Sequence, residues 1–211
     1  MFTRKISVAG IICFLLCCAI EFQAQTVRIN EIMASNSTTL ADKDGDFPDW
    51  IELYNYGTEA VKLQSWALTD DINVPNKWVF PDTTLQANQY LIVFASSKNK
   101  KKSGAELHTN FNLKSSGEYL ALMMPTAIVA SAFQPAYPSA RTDFSYGYFN
   151  STNVEFRTPT PGKSNALSDG VVLPAPVFSH LHGYYTAGFE LELTSPMANM
   201  QIYYTTDGSF P

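Results

Sequence analysis

Cysteine is missing from most of this chain, and histidine is scarce throughout it. Of the 211 residues only three are cysteines, the last of them Cys18, and only three are histidines. A domain formed after Cys18 has no disulfide and no thiolate metal site, so burial of apolar side chains must stabilise it. The chain also lacks a phosphate-binding glycine loop and the Gly-x-Ser-x-Gly and His-Glu-x-x-His motifs, which removes the simplest indications of an enzyme.

Residues 1–25 have the pattern of a signal peptide. Arg4 and Lys5 form a positive start, and residues 6–20 are an almost unbroken apolar run that is short for a membrane span. Cleavage near Ala24 or Gln25 would remove all three cysteines. We therefore expect an exported protein, extracellular or at the cell surface, without a membrane span after cleavage. A retained membrane anchor is the alternative.

Basic residues are the minority after the signal peptide. Without Arg4, Lys5 and Glu21, the 14 basic and 19 acidic residues fall to 12 and 18, a net charge of −6. This balance argues against general nucleic-acid binding, because such binding depends on many cationic contacts to phosphates. The basic run at residues 98–102 is expected to be a solvated loop.

Short β-branched and aromatic runs, separated by turn residues, take the place of a helical pattern. They predict strands at residues 27–32, 50–54, 61–68, 77–80, 90–95, 119–123 and 127–133. Many short strands with turns between them indicate an all-β fold, as an antiparallel sandwich or barrel. We expect Trp50, Trp66 and Trp78 to lie in its core. The pattern of the second strand alternates only partly, and Glu52 is expected to point outward.

A domain boundary is predicted near residue 165, where two prolines and a glycine stop strand pairing. The predicted parts are a domain at 26–165, a linker at 166–175 and a second β-module at 176–211, with strands at 177–178, 189–194 and 201–206. A chain below about 40 residues rarely folds alone, because it buries too little surface. The second module is therefore expected to be incomplete, and the natural chain to continue beyond Pro211.

Alternating aspartates between the first two predicted strands are the first candidate for a cation site. Asp42, Asp44 and Asp46 alternate and Asp49 follows them, and such carboxylates can supply several of the six to eight oxygen ligands that calcium takes. The loop is not an EF-hand, because its sixth residue is not glycine and its twelfth is not glutamate. The alternative is a solvated turn in which aspartate side chains bond to local amides. The calcium hypothesis covers these four residues, and no other cofactor is predicted.

Other titratable residues are weaker candidates for catalysis or metal binding than the aspartate loop. Glu31 and Glu52 lie in predicted strands, and two close carboxylates can perform acid–base catalysis. No substrate-fixing motif accompanies them, so salt bridges or surface positions are favoured and no catalytic residue is predicted. His108 is expected in a loop as a local hydrogen-bonding residue. His180 and His182 would share one face of a strand, where a structural use is favoured over zinc binding.

Eight segments of the chain resemble, in order, those of bacterial lamin-tail domains. They are INEIMASN (29–36), DWIELYN (49–55), LQSWALTD (63–70), WVFP (78–81), LHTNFNL (107–113), GEYLAL (117–122), SYG (145–147) and PTPG (159–162). Each segment is a weak match by itself, whereas the ordered set covers nearly all of residues 26–165. The resemblance implies an immunoglobulin-like β-sandwich, which agrees with the strand pattern.

The end of the chain resembles the start of a different module. YYTTDGSFP (203–211) is similar to the signature of the chitobiase/β-hexosaminidase C-terminal domain. FSHLHGYY (178–185) is similar to the lead-in to that module in exported proteins of the spore-coat CotH kinase-like family. The sequence contains no kinase-like region, so no kinase activity is expected from it. Tyr184-Tyr185 and Tyr203-Tyr204 could each expose one ring for stacking on a sugar.

These patterns together predict a non-catalytic binding or spacer module at the cell surface or outside the cell. Its partner would be a protein or a polysaccharide, bound by loops that a rigid sandwich presents. The alternative is an accessory domain of an enzyme, kinase-like or hydrolytic, whose catalytic part lies beyond Pro211.

Overall fold

The computed structural model describes residues 25–125, 127–166, 171–172, 175–196 and 200–207. The signal peptide predicted at residues 1–25 falls almost wholly outside these ranges, so it stays a prediction. The described residues form strands and connecting loops, and none of them lies in a helix. This part of the chain accordingly offers no helix with the length and apolar character needed to cross a bilayer.

The described part of the chain forms fifteen strands. In chain order they are β1 (Val27–Met33), β2 (Asp49–Asn55), β3 (Val61–Lys62), β4 (Ala67–Thr69), β5 (Trp78–Val79), β6 (Thr84–Leu85), β7 (Tyr90–Ala95), β8 (Leu107–His108), β9 (Leu120–Met123), β10 (Val129–Phe133), β11 (Ser145–Phe149), β12 (Thr152–Phe156), β13 (Val171–Val172), β14 (Val177–Phe178) and β15 (Leu193–Thr194). The long strands β1, β2 and β7 are rich in β-branched and aromatic residues, which suit a pleated and half-buried surface.

Two sheets make up the sandwich. The large sheet has the strand order β13-β12-β11-β1-β2-β7-β8, and the small sheet has the order β10-β9-β4-β5. Neighbouring strands run antiparallel except β7 and β8, which are parallel. The predicted all-β, immunoglobulin-like antiparallel sandwich is confirmed, with the parallel strand β8 as an addition.

The main apolar core joins the inner faces of the two sheets. Leu53 and Val93 of the large sheet belong to the same buried cluster as Leu68 and Leu122 of the small sheet, and all four are fully buried. Burying one such side chain contributes about 1.5–3 kcal/mol. A core of this kind explains how a domain without cysteine holds together.

The three tryptophans are buried as predicted, but they lie on two sides of the large sheet. Trp66 and Trp78 belong to the main core. Trp50 instead packs with Met33 and Phe94 in a second cluster. Because side chains alternate along a strand, Trp50 points away from the core that its neighbours in β2 enter. The face of the large sheet that carries Trp50 is called the outer face below.

A bulge in β1 places two polar residues side by side on the outer face. The register of β1 with β2 shifts between Ile29 and Glu31. The irregularity lets both Ile29 and Ile32 enter the main core. Asn30 and Glu31 both bond instead to a segment that crosses the opposite face. This segment, residues 159–165, is called the strap.

The sequence pattern misjudged two parts of the sandwich. The strand predicted at 61–68 is interrupted, because Ser65 has a φ of 67° and the Trp66 amide closes a turn on the Leu63 carbonyl at 2.9 Å. The hairpin of β11 and β12 was not among the predicted strands, although it lies between β1 and the edge strand β13 of the large sheet.

The region after residue 175 forms less structure than its pattern suggested. β14 and β15 pair as a short antiparallel ladder. The strand predicted at 189–194 shortens to β15, and the strand predicted at 201–206 is wrong, because those described residues form none. The boundary at 165, the linker at 166–175 and the incomplete second module stay predictions.

Candidate functional site

The three alternating aspartates meet around one lysine. Asp44 and Asp46 contact the Lys98 ammonium at 2.8 and 2.7 Å, and Asp42 contacts the same nitrogen. Asp42 Oδ1 also accepts the amides of Asp44 and Asp46, at 2.9 and 3.0 Å. The local amide bonding that was the alternative to a metal site is therefore confirmed. The solvated lysine loop predicted at 98–102 is wrong for Lys98, which is paired with carboxylates.

Ion pairing sets the charge state of this aspartate cluster, Asp42, Asp44 and Asp46. Lys100 Nζ contacts Asp44 at 2.6 Å, and the ammonium groups of Lys100 and Lys98 lower the pKa of Asp44 to about 2. Burial acts to raise the pKa of Asp42, but its bonds to Lys98 and to two amides outweigh burial and lower it. The three carboxylates raise the pKa of Lys98. Asp42, Asp44 and Lys98 are therefore held in their charged forms at neutral pH.

Asp49, the fourth residue of the predicted calcium site, lies apart from the aspartate cluster. It begins β2 and accepts the Asn36 amide at 3.4 Å, and burial raises its pKa to about 6. Ligand atoms of the three clustered aspartates lie within 4.8 Å of one another, and among the described residues Asp49 belongs to no such group. The calcium hypothesis stays a prediction. The geometry restricts the possible calcium ligands to Asp42, Asp44 and Asp46. A calcium ion bound there would have to displace the ammonium group of Lys98.

A second possible ligand set, which the sequence did not indicate, includes His108. Ligand atoms of Asp42, Glu106 and His108 lie within 4.8 Å of one another. His108 is fully buried in β8, stacks on Phe94, and bonds through its two ring nitrogens to Ser96 Oγ at 2.8 Å and Glu106 at 2.9 Å. The predicted local hydrogen bonding is confirmed, and the predicted loop is wrong. Because both ring nitrogens of His108 have protein partners, the close approach of His108, Glu106 and Asp42 needs no metal ion to explain it.

Glu31 and Glu52 are neighbours across β1 and β2, and both are fully buried. The surface positions that the sequence favoured, and the outward exposure of Glu52, are wrong because the strap covers both residues. The Gly162 amide donates to Glu52 at 2.5 Å, and the Thr160 amide and hydroxyl donate to Glu31 at 3.0 and 2.8 Å. The Ser145 hydroxyl also donates to Glu31. Each carboxylate therefore ties the strap to the sheet.

Two asparagines complete the contact between the strap and the sheet. Asn30 donates to Glu52 at 2.8 Å and to Asn165 at 3.0 Å. Asn165 donates in turn to the carbonyls of Asn30 and Tyr148, at 3.0 and 2.9 Å. A Cβ at Gly147 would lie 2.3 Å from the Asn30 carbonyl oxygen and 3.2 Å from the Asn165 amide nitrogen. Glycine at this position therefore lets the backbone and the strap approach closely.

Burial governs the charge state of the two glutamates. It is the largest influence on both pKa values, and it raises that of Glu52 to about 8 and also raises that of Glu31. The donors Gly162 and Asn30 oppose this rise for Glu52, while the charge of Glu31 adds to it. A raised pKa suits a general acid. Here, however, the oxygens are occupied by strap and sheet donors beneath a covered surface, so the observed role is structural.

Four side chains from four adjacent strands of the large sheet are linked in order by ring and cation–π contacts. They are Tyr90 of β7, Tyr54 of β2, Arg28 of β1 and Tyr148 of β11, and we call them the tyrosine–arginine row. The rings of Tyr54 and Tyr90 stack with centroids 4.5 Å apart. The Arg28 guanidinium lies 3.9 Å from the centre of the Tyr148 ring and 5.3 Å from that of Tyr54. All four side chains are partly exposed.

A cleft of about 470 Å³ opens beside the tyrosine–arginine row. It is lined by residues 130–133 of β10 in the small sheet and by Gln25, Arg28, Ile29, Tyr56, Tyr148 and Asn153. Arg28 Nε is buried and has no hydrogen-bond partner among the described residues. In the same part of the chain, none of the ion pairs involves Arg28.

Sequence reasoning missed this row. Its members come from four separate strands, and each is a single polar or aromatic residue within an ordinary strand pattern. The available signal was Arg28, a charged residue within the otherwise apolar start of β1.

The fold defines an immunoglobulin-like β-sandwich module. A family model for the Lamin Tail Domain matches residues 21–135, more than half of the chain, and the chain belongs to this family. The lamin-tail part of the resemblance is thereby confirmed. The matched span ends before β11, although β11 and β12 lie in the same sheet as β1. A comparison with curated proteins finds no match.

Proposed function

We propose that this protein is a non-catalytic binding module that acts outside the cytoplasm, at the cell surface or in the extracellular space. The signal-peptide pattern of residues 1–25 supports export. The partner is a protein or a polysaccharide, and neither nucleic acid nor a lipid bilayer is a partner. The lamin-tail sandwich supports such a role, because a rigid scaffold can present a preformed surface.

One observation carries this proposal: the outer face of the large sheet is covered except at one end. Leu40 packs on the cluster around Trp50, and the strap covers Glu31 and Glu52. The tyrosine–arginine row and its cleft remain accessible. Partly exposed aromatic side chains with an arginine among them are typical of recognition surfaces.

The state of the acidic residues supports the absence of catalysis in this domain. The carboxylates of the aspartate cluster are paired with the ammonium groups of Lys98 and Lys100. The buried pair Glu31 and Glu52 is occupied by donors from the strap. A general acid or base must reach the reacting atom of a substrate, and neither group is placed to do so.

We further propose that the sandwich is one part of a multidomain exported protein whose next module begins at residue 176. The motif similarities of residues 178–185 and 203–211 and the pairing of β14 with β15 support a module of the chitobiase/β-hexosaminidase C-terminal type. In the alternative arrangement, the sandwich is an accessory domain of a kinase-like or hydrolytic enzyme. Sequencing the reading frame beyond residue 211 distinguishes the two, because a catalytic domain there favours the accessory role.

A retention screen tests the binding function. The immobilised full chain is exposed to soluble polysaccharides, cell-wall preparations and extracellular matrix proteins. We expect saturable retention of at least one ligand, lost when the chain is thermally unfolded. Retention should also fall in a Tyr54→Ala/Tyr148→Ala variant and persist in Tyr184→Ala, which removes an exposed ring outside the row. A chain that retains no member of the panel would be a spacer.

A further inference from the structure

We propose that the open edge of β10 receives an extended peptide segment of a partner protein, which adds to the small sheet as a fifth strand. This inference rests on the proposed binding function and names the kind of partner and the surface that it uses. Three features carry it: the length of β10, the lack of charge along it, and the cleft at its side. In strand addition of this kind, main-chain hydrogen bonds give affinity and side-chain contacts give specificity.

β10 is the longest edge strand of the sandwich. The large sheet ends in β13 and β8, and the small sheet ends in β5 and β10; the first three have two residues each, whereas β10 has five. Natural proteins usually keep edge strands short, because an edge leaves backbone N–H and C=O groups without a strand partner. Among the described strands β10 pairs with β9 alone, so about half of its backbone groups face an open side. This edge is about 17 Å long, which suits about five residues of a peptide.

The sequence of β10 offers little protection against strand addition. Charged residues and prolines within an edge strand normally discourage pairing. The strand reads VASAF, and no charged residue occurs anywhere between Glu118 and Arg141. Ile128 and Val129, at its start, are 50% and 46% exposed. A bulge disturbs the pairing with β9 just after Val129, and the rest of β10 stays in regular register. The edge is therefore open to an uncharged strand.

The cleft of about 470 Å³ lies along this open edge. Residues 130–133 form one of its walls, and none of its described lining residues belongs to β9. The cleft is therefore on the side of β10 that has no strand partner. Ala130, Ser131 and Ala132 are half-buried and have short side chains, which leave room for a neighbouring backbone.

The opposite wall of the cleft belongs to the large sheet. Its residues are Gln25, Arg28, Ile29, Tyr56, Tyr148 and Asn153. β1 pairs with β11 at Glu31 and Ile32, and the Ile29 amide donates instead to Ser131 Oγ of β10, at 3.1 Å. The cleft is therefore a gap between two sheets that this bond joins, and it has a wall on each side.

These dimensions favour a single peptide segment over a second folded copy of the chain. A stable interface between two folded proteins buries about 1,200–2,000 Å² in total. An edge of five residues beside a cleft of about 470 Å³ offers much less, and the wall from the large sheet obstructs a second sandwich. An extended segment needs less area, because its backbone can bond along the whole edge.

The edge also defines the chemistry of the segment. Proline is excluded from it, because proline has no N–H to donate to β10. Residues that face β10 are uncharged, because a charge buried against this uncharged strand would lack a partner. Small and β-branched side chains fit beside the short side chains of Ala130 and Ala132.

Peptide display supplies the probes. A library of random linear peptides of about ten residues, longer than the edge, is selected on the immobilised full chain. We expect enrichment of proline-free peptides with β-branched and small residues. The tightest binder is then compared with two analogues that are N-methylated at alternate residues, one for each edge of the strand. Each analogue keeps the side chains and loses the N–H donors of one edge. We expect one analogue to bind at least tenfold more weakly than the parent peptide and the other to bind equally well.

Val129→Lys and Val74→Lys are matched variants of the chain. Both valines are 46% exposed, and both changes add one charge, but Val129 begins β10 whereas Val74 lies in the loop between β4 and β5. Lysine on an edge strand discourages pairing. We therefore expect Val129→Lys to weaken binding of the selected peptide at least fivefold and Val74→Lys to leave it unchanged.

Ala132→Lys tests the cleft, because it places a long side chain beside the open edge. We expect it to weaken peptide binding at least tenfold. Circular dichroism and the thermal midpoint verify that each variant is folded. If Ala132→Lys does not fold, the exposed position Val129 decides alone.

Hydrogen exchange locates the bound peptide. The amides of β10 that face away from β9 should exchange at least tenfold more slowly in the complex, because they become bonded. The amides of the other edge strands, β5, β8 and β13, should exchange at unchanged rates. Slower exchange at one of those edges and not at β10 would overturn the inference.

The possible outcomes separate this inference from the proposed function. Equal binding of the parent peptide and both analogues, or unchanged affinity in Val129→Lys and Ala132→Lys, overturns strand addition at β10. Self-association of the full chain that Val129→Lys abolishes also overturns it, because a second copy would then occupy the edge. Retention of a polysaccharide or matrix protein with no peptide selected overturns the inference but supports the proposed function. Retention of nothing and selection of no peptide overturn both.

Discussion

Two groups of carboxylates fasten loops to this sandwich, and they do so in opposite ways. The aspartate cluster joins the loop at 42–46 to the segment after β7 through the ammonium of Lys98, with Asp44 and Asp46 largely exposed. Glu31 and Glu52 join the strap to the outer face through uncharged donors, and both are fully buried. One group pairs charge with charge near water, and the other holds carboxyl groups against amides and hydroxyls away from water.

Burial decides how strongly a carboxyl group affects the stability of this sandwich. Exposed ion pairs are weak, because water and salt screen them. A buried carboxylate is costly to desolvate, so its donors become essential, and removing the carboxylate leaves those donors without partners. We therefore expect changes at Glu52 to be more damaging than changes at Lys98.

The largest effect is expected for Glu52→Ala. This change leaves the Gly162 amide and the Asn30 side chain without an acceptor and opens a cavity under the strap. The free energy of unfolding should fall by about 4 kcal/mol, measured by urea denaturation. Glu59→Ala, at an exposed glutamate, is the matched control and should have little effect. A similar stability for both variants would contradict the structural role of Glu52.

The next effect is a loss of stability as the pH rises. The pKa of Glu52 is raised from 4.5 to about 8 in the folded chain, so the folded state holds a proton that the unfolded state releases above its lower pKa. Stability from this source is complete below about pH 4.5 and falls as the pH rises, by roughly 4 kcal/mol at pH 8. The raised pKa values of Asp49 and Glu31 act in the same direction.

Glu52→Gln tests the assignment of this pH dependence to one residue. Glutamine is uncharged at every pH, so the variant should lose most of the slope of unfolding free energy between pH 5 and pH 8. The pH dependence of the unfolding free energy that remains in this variant is assigned to Asp49 and Glu31. An unchanged slope in Glu52→Gln would assign the dependence to other groups.

A smaller effect is expected for Asn165→Ala, which weakens the strap and leaves both glutamates in place. The change removes the bonds to Asn30 and Tyr148 and should cost about 1 to 2 kcal/mol. Hydrogen exchange at the Gly162 amide should accelerate, because the strap opens locally. Lys163→Ala, which changes an exposed residue of the strap, is the control. Equal exchange rates in the two variants would contradict the role of Asn165 in holding the strap on the sheet.

The smallest effect on stability is expected for Lys98→Met. Without the ammonium, Asp42, Asp44 and Asp46 repel one another, so added salt should raise the thermal midpoint of the variant more than that of the native chain. Free carboxylates should also bind calcium more tightly. We therefore expect millimolar calcium to raise the thermal midpoint more in Lys98→Met than in the native chain. Lys102→Met is the control, and no calcium response in any of the three proteins would sink the calcium hypothesis.

Local patterns predicted much of this architecture. The all-β class, the burial of the tryptophans and the amide-bonding aspartate turn all depend on neighbours in the chain, so they could be inferred from spacing alone. The ordered lamin-tail segments identified the family for the same reason. β11 and β12 were missed because their polar residues and the glycine at 147 make a weak strand pattern.

The covered position of Glu52 illustrates what spacing alone could not reveal. Alternation in β2 correctly placed Glu52 on the face opposite the core. It could not show that a strap more than a hundred residues further along the chain covers that face. The aspartates that pair with Lys98 also lie far from it in sequence, more than fifty residues earlier, so the basic run was expected to be solvated.

The sequence by itself determined that this chain forms a β-sandwich of the lamin-tail type, because strand periodicity and turn chemistry are local properties. Only the tertiary structure decided which polar residues are buried, which charges are paired and which side chains remain accessible. Contacts across the sheet bring Arg28 beside Tyr148, where no carboxylate of the described residues pairs with it, whereas Lys98 has three. The accessible tyrosine–arginine row therefore belongs to the assembled sheet, because no single segment of the chain contains it.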